Sequence, residues 1–294
     1  MPPLGVTAVM LPEIDFDEQL KLCETLKLTH YSWRPRIISE DQLRQAPSPW
    51  GFHRFDLTPQ RLVKEGGQLR RRLESAGMIS FGSLPAANTG HDDDTLRLHF
   101  EGAAAVGAGR MRIAPKAYPT DAPFDYDALL ERLVDRYRHL VDLARPFGIK
   151  IVIETHCLSL ATSPALARNL CLPFDPGDMG VIFDINNYMI EGGLHPNLAV
   201  AVIGRYIDHS HIGGARLTGD DTRDAFGFRQ RGHEMCPLTE ADQHIPTWIA
   251  ALMVAGITAP LIIENFSPHT AGPDRLAESV AQLRPVLKAS AMTP

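Results

Sequence analysis

Strand-like and helix-like segments alternate along the whole of this 294-residue chain. Short apolar, β-branched runs fall at residues 4–10, 29–33, 78–84, 110–114, 150–154, 180–184, 206–212 and 260–266. Stretches with helical spacing of apolar residues lie between them, at 17–27, 59–76, 125–147, 194–203, 240–255 and 273–287. Two more helix starts are marked by Asp92-Asp93-Asp94 before Leu96, Leu98 and Phe100, and by Thr162-Ser163-Pro164. Parallel strands cannot be joined by tight turns, so repeated βα units demand a parallel sheet with helices outside. Eight such units without a Pro/Gly/Ser-rich linker predict an α/β fold. The expected form is a single-domain, closed (β/α)₈ TIM barrel over residues 1–294. An open nucleotide-binding sheet would need a glycine fingerprint opening a helix, whereas Gly107-Ala108-Gly109 precedes a strand.

Bulk composition narrows the function classes. Apolar content of 44% with 22% charged residues is ordinary for a globular enzyme. A formal charge of −6 argues against a nucleic-acid partner, which needs a basic footprint. No apolar run approaches the roughly 20 residues of a membrane span. The opening Met1-Pro2-Pro3-Leu4-Gly5 lacks the blocks of a signal peptide. Four cysteines (Cys23, Cys157, Cys171, Cys236) form no C-x-x-C pair, as expected for reduced thiols in a cytoplasm.

Four of the apolar runs end in a side chain able to bind a metal: Glu154, Asp184, His211 and Glu264. The strand ends of such a barrel open on one face, so ligands from strands five to eight converge there. Acids after strands also serve as helix caps or arginine partners. Four at equivalent places in consecutive strands point instead to one divalent cation. Three carboxylates and one imidazole form an oxygen-rich set that suits Mn²⁺ first, then Mg²⁺ or Co²⁺, with Zn²⁺ also compatible.

In this respect the chain resembles the xylose-isomerase-like barrels, including sugar isomerases and 3-epimerases of the tagatose-epimerase type. Glu154, Asp184, His211 in His211-Ile212-Gly213, and Glu264 match that family's four ligands. The resemblance implies that Glu154 and Glu264 also move protons and that Arg216 contacts substrate oxygens. Epimerases of this kind usually carry a histidine three residues after the strand-six aspartate, where this chain has Asn187 as a substrate-binding candidate. The implied chemistry is removal of a proton beside a chelated ketone, giving a metal-stabilised enediolate. Return on the other face is epimerisation, and return to the neighbouring atom is isomerisation. Loss of a β-substituent is the alternative lyase or dehydratase outcome. Related C-glycoside deglycosidases acting on 3-keto-glycosides take that course, often with a small β-rich partner subunit. The expected assembly is otherwise a homo-oligomer.

Further candidates surround this set. His156 shares the strand parity of Glu154 and is read as an extra catalytic base or as a locally bonded loop histidine. His209 shares the parity of His211 and is either an orienting group or packing. Lys116, after strand four, reaches a substrate oxygen or is solvated. Trp33 and Arg34 end strand two as an apolar wall and an anion contact, with packing as the simpler role for Trp33. Arg231-Gly232-His233-Glu234 lies in a long connection, 213–238, and either closes over substrate through His233 or forms a solvated polar loop. Two other long connections, 35–57 and 84–91, open on the same face. Rival readings are a three-zinc DNA-repair endonuclease, a non-catalytic sugar-binding barrel, and a hydrolase using Cys157 beside His156. The last is geometrically poor, because neighbouring residues on a strand point to opposite faces.

Overall fold

The computed structural model describes residues 1–37, 39–157, 159–190, 193–219, 223–230 and 232–291. Its strands are β1 (Leu4–Thr7), β2 (His30–Trp33), β3 (Ile79–Ser83), β4 (Arg110–Arg112), β5 (Lys150–Glu154), β6 (Met179–Asp184), β7 (Ile207–Ile212), β8 (Ala215–Thr218), β9 (Gly232–Met235) and β10 (Leu261–Ile263). All of these except β8 and β9 pair in parallel and close into one eight-stranded barrel, β10 lying between β7 and β1. The expected (β/α)₈ barrel is therefore the fold.

The helices are α1 (Phe16–Thr25), α2 (Glu40–Leu43), α3 (Pro59–Ser75), α4 (Asp93–Ala105), α5 (Tyr126–Ala144), α6 (Pro164–Cys171), α7 (Ile185–Ile190), α8 (Pro196–Ile203), α9 (Ile245–Val254) and α10 (Gly272–Ala291). Local chemistry explains where several begin. Asp15 and Glu18 form a reciprocal capping box on α1, satisfying two backbone N–H groups that lack helical partners. Asp92 caps α4, and Ser163 caps α6 ahead of Pro164, whose fixed φ suits a first turn. Among the described residues, no helix is long and apolar enough to cross a membrane.

Alternation within the strands divides two interiors. Tyr31 and Trp33 of β2 face the helix layer, where Tyr31 lies 6.1 Å and Trp33 5.6 Å from the ring of Phe16. Inside the barrel a small apolar layer of Leu84, Val152 and Ile182 separates two groups of charged side chains. One lies at the amino end of the strands, the other at the carboxyl end.

The sequence boundaries shift in places. The first strand stops at Thr7 and Ala8–Met10 coil into a 3₁₀ turn. Glu264 lies just beyond β10 rather than within a longer strand. The helix expected at 240–255 begins at Ile245, after a separate turn at Leu238–Glu240. Within the 213–238 connection, β8 and β9 form an antiparallel hairpin that apolar periodicity does not reveal. Its strands, ARLT and GHEM, are held by backbone pairing on a largely exposed surface.

Candidate metal centre and active-site cavity

The four predicted ligands meet at the carboxyl ends of the strands. One ligand atom from each of Glu154, Asp184, His211 and Glu264 lies within 4.8 Å of the other three. His211 Nδ1 stands 2.9 Å from Glu154 Oε1, 2.6 Å from Glu264 Oε2 and 3.8 Å from Asp184 Oδ2. Glu154, Asp184 and His211 are buried, and Glu264 is slightly open to the mouth.

Neighbouring backbone fixes this geometry. Register places Asp184 beside His211 across the β6–β7 pair. Asp184 Oδ1 accepts the Asn187 backbone N–H at 2.7 Å, so the carboxylate caps α7 with one oxygen and keeps the other for the cluster. Thr155 Oγ1 accepts the Asp184 N–H at 2.9 Å, tying the ends of β5 and β6 together. Gly213 lets the chain pass against the last ligand, since a Cβ there would meet the Glu264 carbonyl at 2.5 Å.

The protonation of these groups shows what the cluster lacks. Burial raises the Asp184 carboxyl well above the usual range, and Glu154 adds to this by repulsion. Burial also opposes charge on Glu154, but Arg112 and His211 outweigh it and hold that carboxyl below the usual range. Burial disfavours a charged His211, yet Glu264 and Glu154 raise it well above an ordinary histidine. Three carboxylates, two of them buried, and an imidazole thus converge with Arg112 as the neighbouring cation. A divalent cation fits that donor set.

Above the ligands is a cavity of about 240 Å³. It gathers the predicted His156, Asn187 and His233 with the four ligands. His156 Nδ1 lies 2.9 Å from the Cys157 carbonyl oxygen. Asn187 is half-buried and His233 exposed on β9. Arg231, expected beside His233, lies outside the described residues.

Three predicted substrate contacts fall elsewhere. Trp33 is fully buried in the helix layer, and its Nε1–H donates to Ser80 Oγ at 2.7 Å. Its parity on β2 turns it outward, so the packing role replaces the cavity wall. Lys116 is an exposed loop residue away from the cavity lining. Arg216 sits on β8, bonded to Glu234 at 2.6 Å and Glu240 at 2.8 Å, and it too is away from the lining. It fastens the hairpin instead. His209 is buried with Nδ1 2.8 Å from Asp208 Oδ1, its ring 5.3 Å from that of His211.

Sequence reasoning missed Arg112, Asn186 and Trp50. Arg112 Nε lies 2.9 Å from Glu154 Oε2, forming an ion pair whose N–H is not aimed along the hydrogen-bond direction. Its alternation with buried Met111 and Ile113 is a signal that it points into the barrel. Asn186 is buried and accepts from Gln243 Nε2 at 3.1 Å, while Gln243 also bonds the Gly213 carbonyl. No local pattern announces that link. Trp50 comes from the 35–57 connection and packs against Phe266 with ring centroids 5.0 Å apart and planes tilted by 47°.

A family model described as xylose isomerase-like TIM barrel matches residues 44–286. The chain belongs to the xylose isomerase-like TIM-barrel family. Solved structures similar to this family member include the apo form of 3-keto-D-glucoside 4-epimerase from E. coli, at 13% identity. That match has a TM-score of 0.70 and covers 97% of this chain and 100% of the other. An IOLI protein with a binding zinc atom is 15% identical, with a TM-score of 0.70, over 99% of this chain and 100% of that one. An L-ribulose 3-epimerase is 12% identical, with a TM-score of 0.69, over 99% and 96%. At these identities the likeness speaks for the barrel alone. Comparison with curated protein sequences finds no match.

Proposed function

We propose that this xylose isomerase-like barrel is a divalent-metal-dependent isomerase or epimerase of a ketose or a related polyhydroxy carbonyl compound. The observation that carries the reading is the pair Glu154 and Glu264, both within hydrogen-bond reach of His211 Nδ1 at the floor of one small cavity. Family membership and the epimerases among its structural neighbours support it. The neighbour with a zinc atom supports a metal in the same kind of barrel. Mn²⁺ is proposed here because the donors are mostly carboxylate oxygens.

Glu154, Asp184, His211 and Glu264 would hold the ion. Bound there, it would supply Lewis acidity toward a ketone oxygen and a neighbouring hydroxyl, making the intervening C–H easier to ionise. The chain's own groups do the rest. Arg112 keeps Glu154 anionic, ready to take a proton from carbon. Glu264, on the more open side of the cluster, is placed to relay a proton from solvent water to the resulting enediolate, while Glu154 releases the one it took. Return to the opposite face inverts the centre, and return to the adjacent carbon exchanges aldose and ketose. The cavity volume of about 240 Å³ lies below the usual span of about 300–1,000 Å³ for small-molecule sites, which favours a free monosaccharide over a glycoside.

His156 lends the lyase alternative its own support. It lines the cavity two residues past Glu154, where it could give a proton to the aglycone or β-substituent as its bond to the sugar breaks. Under that reading a small β-rich subunit would accompany the barrel.

Incubation of the Mn²⁺-loaded protein with ketoses in D₂O tests the main reading. Deuterium is expected at a ketone-adjacent carbon, and Glu264→Gln is expected to slow its entry by roughly 10²–10⁴-fold. Full-rate exchange by that variant would remove Glu264 from proton transfer. Aglycone release from a 3-keto-glycoside without exchange into free ketoses would replace the isomerase with the lyase.

A further inference from the structure

Arg34 follows β2 and lines the cavity, half-buried. Its Nη1 donates to the Pro49 carbonyl and to His53 Nε2, the latter at 2.9 Å. Its guanidinium lies 5.1 Å over the ring of Trp50, which forms part of the same wall. These contacts hold the group firmly while leaving its charge unpaired. Among the described residues Arg34 makes no ion pair, whereas Arg112, the other cavity arginine, is matched to Glu154. Burial lowers Arg34 to about 10, and a group with that value is still a cation at neutral pH.

The lining makes this charge informative. Glu154, Asp184 and Glu264 cluster with His211 at its floor. Arg112 is paired with Glu154, whereas Arg34 faces the same cavity without an ion pair among the described residues. The guanidinium without a carboxylate partner is thus the one that lies over the Trp50 ring beside the floor. A planar, preorganised guanidinium of this kind suits a carboxylate.

We propose that Arg34 binds the carboxylate of an acidic substrate, so that the ligand is a polyhydroxy keto acid rather than a neutral ketose. This deepens the isomerase reading and rests on it for the ketone. A carboxylate is favoured over a phosphate because one fork on one arginine, in a small cavity, matches two coplanar oxygens.

Calorimetric titration of the Mn²⁺-loaded protein with D-fructose, D-fructuronate and D-fructose 6-phosphate tests the assignment. D-Fructuronate is expected to bind at least roughly tenfold more tightly than D-fructose, from one charge-assisted pair. Arg34→Gln should abolish that preference while Mn²⁺ affinity and D-fructose binding stay within about twofold. Arg34→Lys, which keeps the charge but loses the fork, should retain part of it. Equal binding of acid and neutral sugar by the native protein would overturn the proposal, as would tighter binding of the phosphate ester. A preference that survives Arg34→Gln would do the same. Deuterium exchange in the same samples separates the two readings. Arg34-dependent acid binding without exchange removes the isomerase and leaves Arg34 in place, and exchange of neutral ketoses without acid preference does the reverse.

Discussion

The barrel buries charge at both ends, and the ends handle it differently. At the amino end Asp208 is the hub, with Arg110 Nε and Lys150 Nζ each 2.8 Å from its carboxylate and His209 Nδ1 at the same distance. Phe81 covers this group, the Arg110 guanidinium lying 3.9 Å over its ring. Burial alone would raise Asp208, but His209, Arg110 and Lys150 hold it below the usual carboxylate range. At the carboxyl end three carboxylates share Arg112 and an imidazole, and Asp184 is driven toward its neutral form. A buried carboxylate surrounded by cations is complete as it stands. A cluster with surplus carboxylates has the donors to hold a divalent cation.

The difference can be broken experimentally, beginning at the complete end. Asp208→Asn is expected to destabilise the protein by about 3 kcal/mol, because it strands two cations whose tips are only partly solvated. Its turnover should stay within a few-fold of native, since the cavity lies beyond the Leu84, Val152 and Ile182 layer. Urea unfolding and steady-state rates on the same samples check both statements. Loss of activity without loss of stability would show that the two ends are coupled.

At the incomplete end, Mn²⁺ at a hundred times its dissociation constant should stabilise the metal-free protein by about 2.7 kcal/mol. A chelator should reverse the gain. Asp184→Asn should lose most of it, and should unfold no more easily than native protein when both are metal-free, because a repelled carboxyl has been neutralised. Metal-dependent denaturation curves of the two proteins decide this.

The smallest effect concerns acid. His53, behind Arg34 on the cavity wall, is lowered by burial to about 4 from an ordinary 6.5. Its unfolded form therefore binds protons more readily between those values, and folding stability falls as pH drops from 6.5 toward 4. The contribution is on the order of 1–3 kcal/mol, read as the difference in unfolding free energy between pH 6.5 and 4.5. His53→Gln should flatten that slope. An unchanged slope would assign the acid sensitivity to other groups, among them His99, which burial also lowers to about 4.

Much of this contrast was legible in the chain. The barrel and its four ligands could be read because each rests on a local pattern, an apolar run with one polar residue at its end. Trp33 is open to two roles in the sequence, wall or packing, and parity on β2 decides for packing by turning Tyr31 and Trp33 toward Phe16. Arg216 was misplaced because the hairpin that carries it is made by backbone pairing and is clasped by Glu234 and Glu240. Asn186 and Gln243 meet only after the chain has folded, so no spacing along it could connect them.

The cap on α7 gives position 187 an unusual independence. Its backbone N–H anchors Asp184, and every residue except proline supplies that group. Its side chain faces the cavity. An alphabet of side chains can therefore be exchanged there without disturbing the ligand beneath, so selection can retune what the cavity accepts while its floor stays constant. Asn187 is one letter of that alphabet.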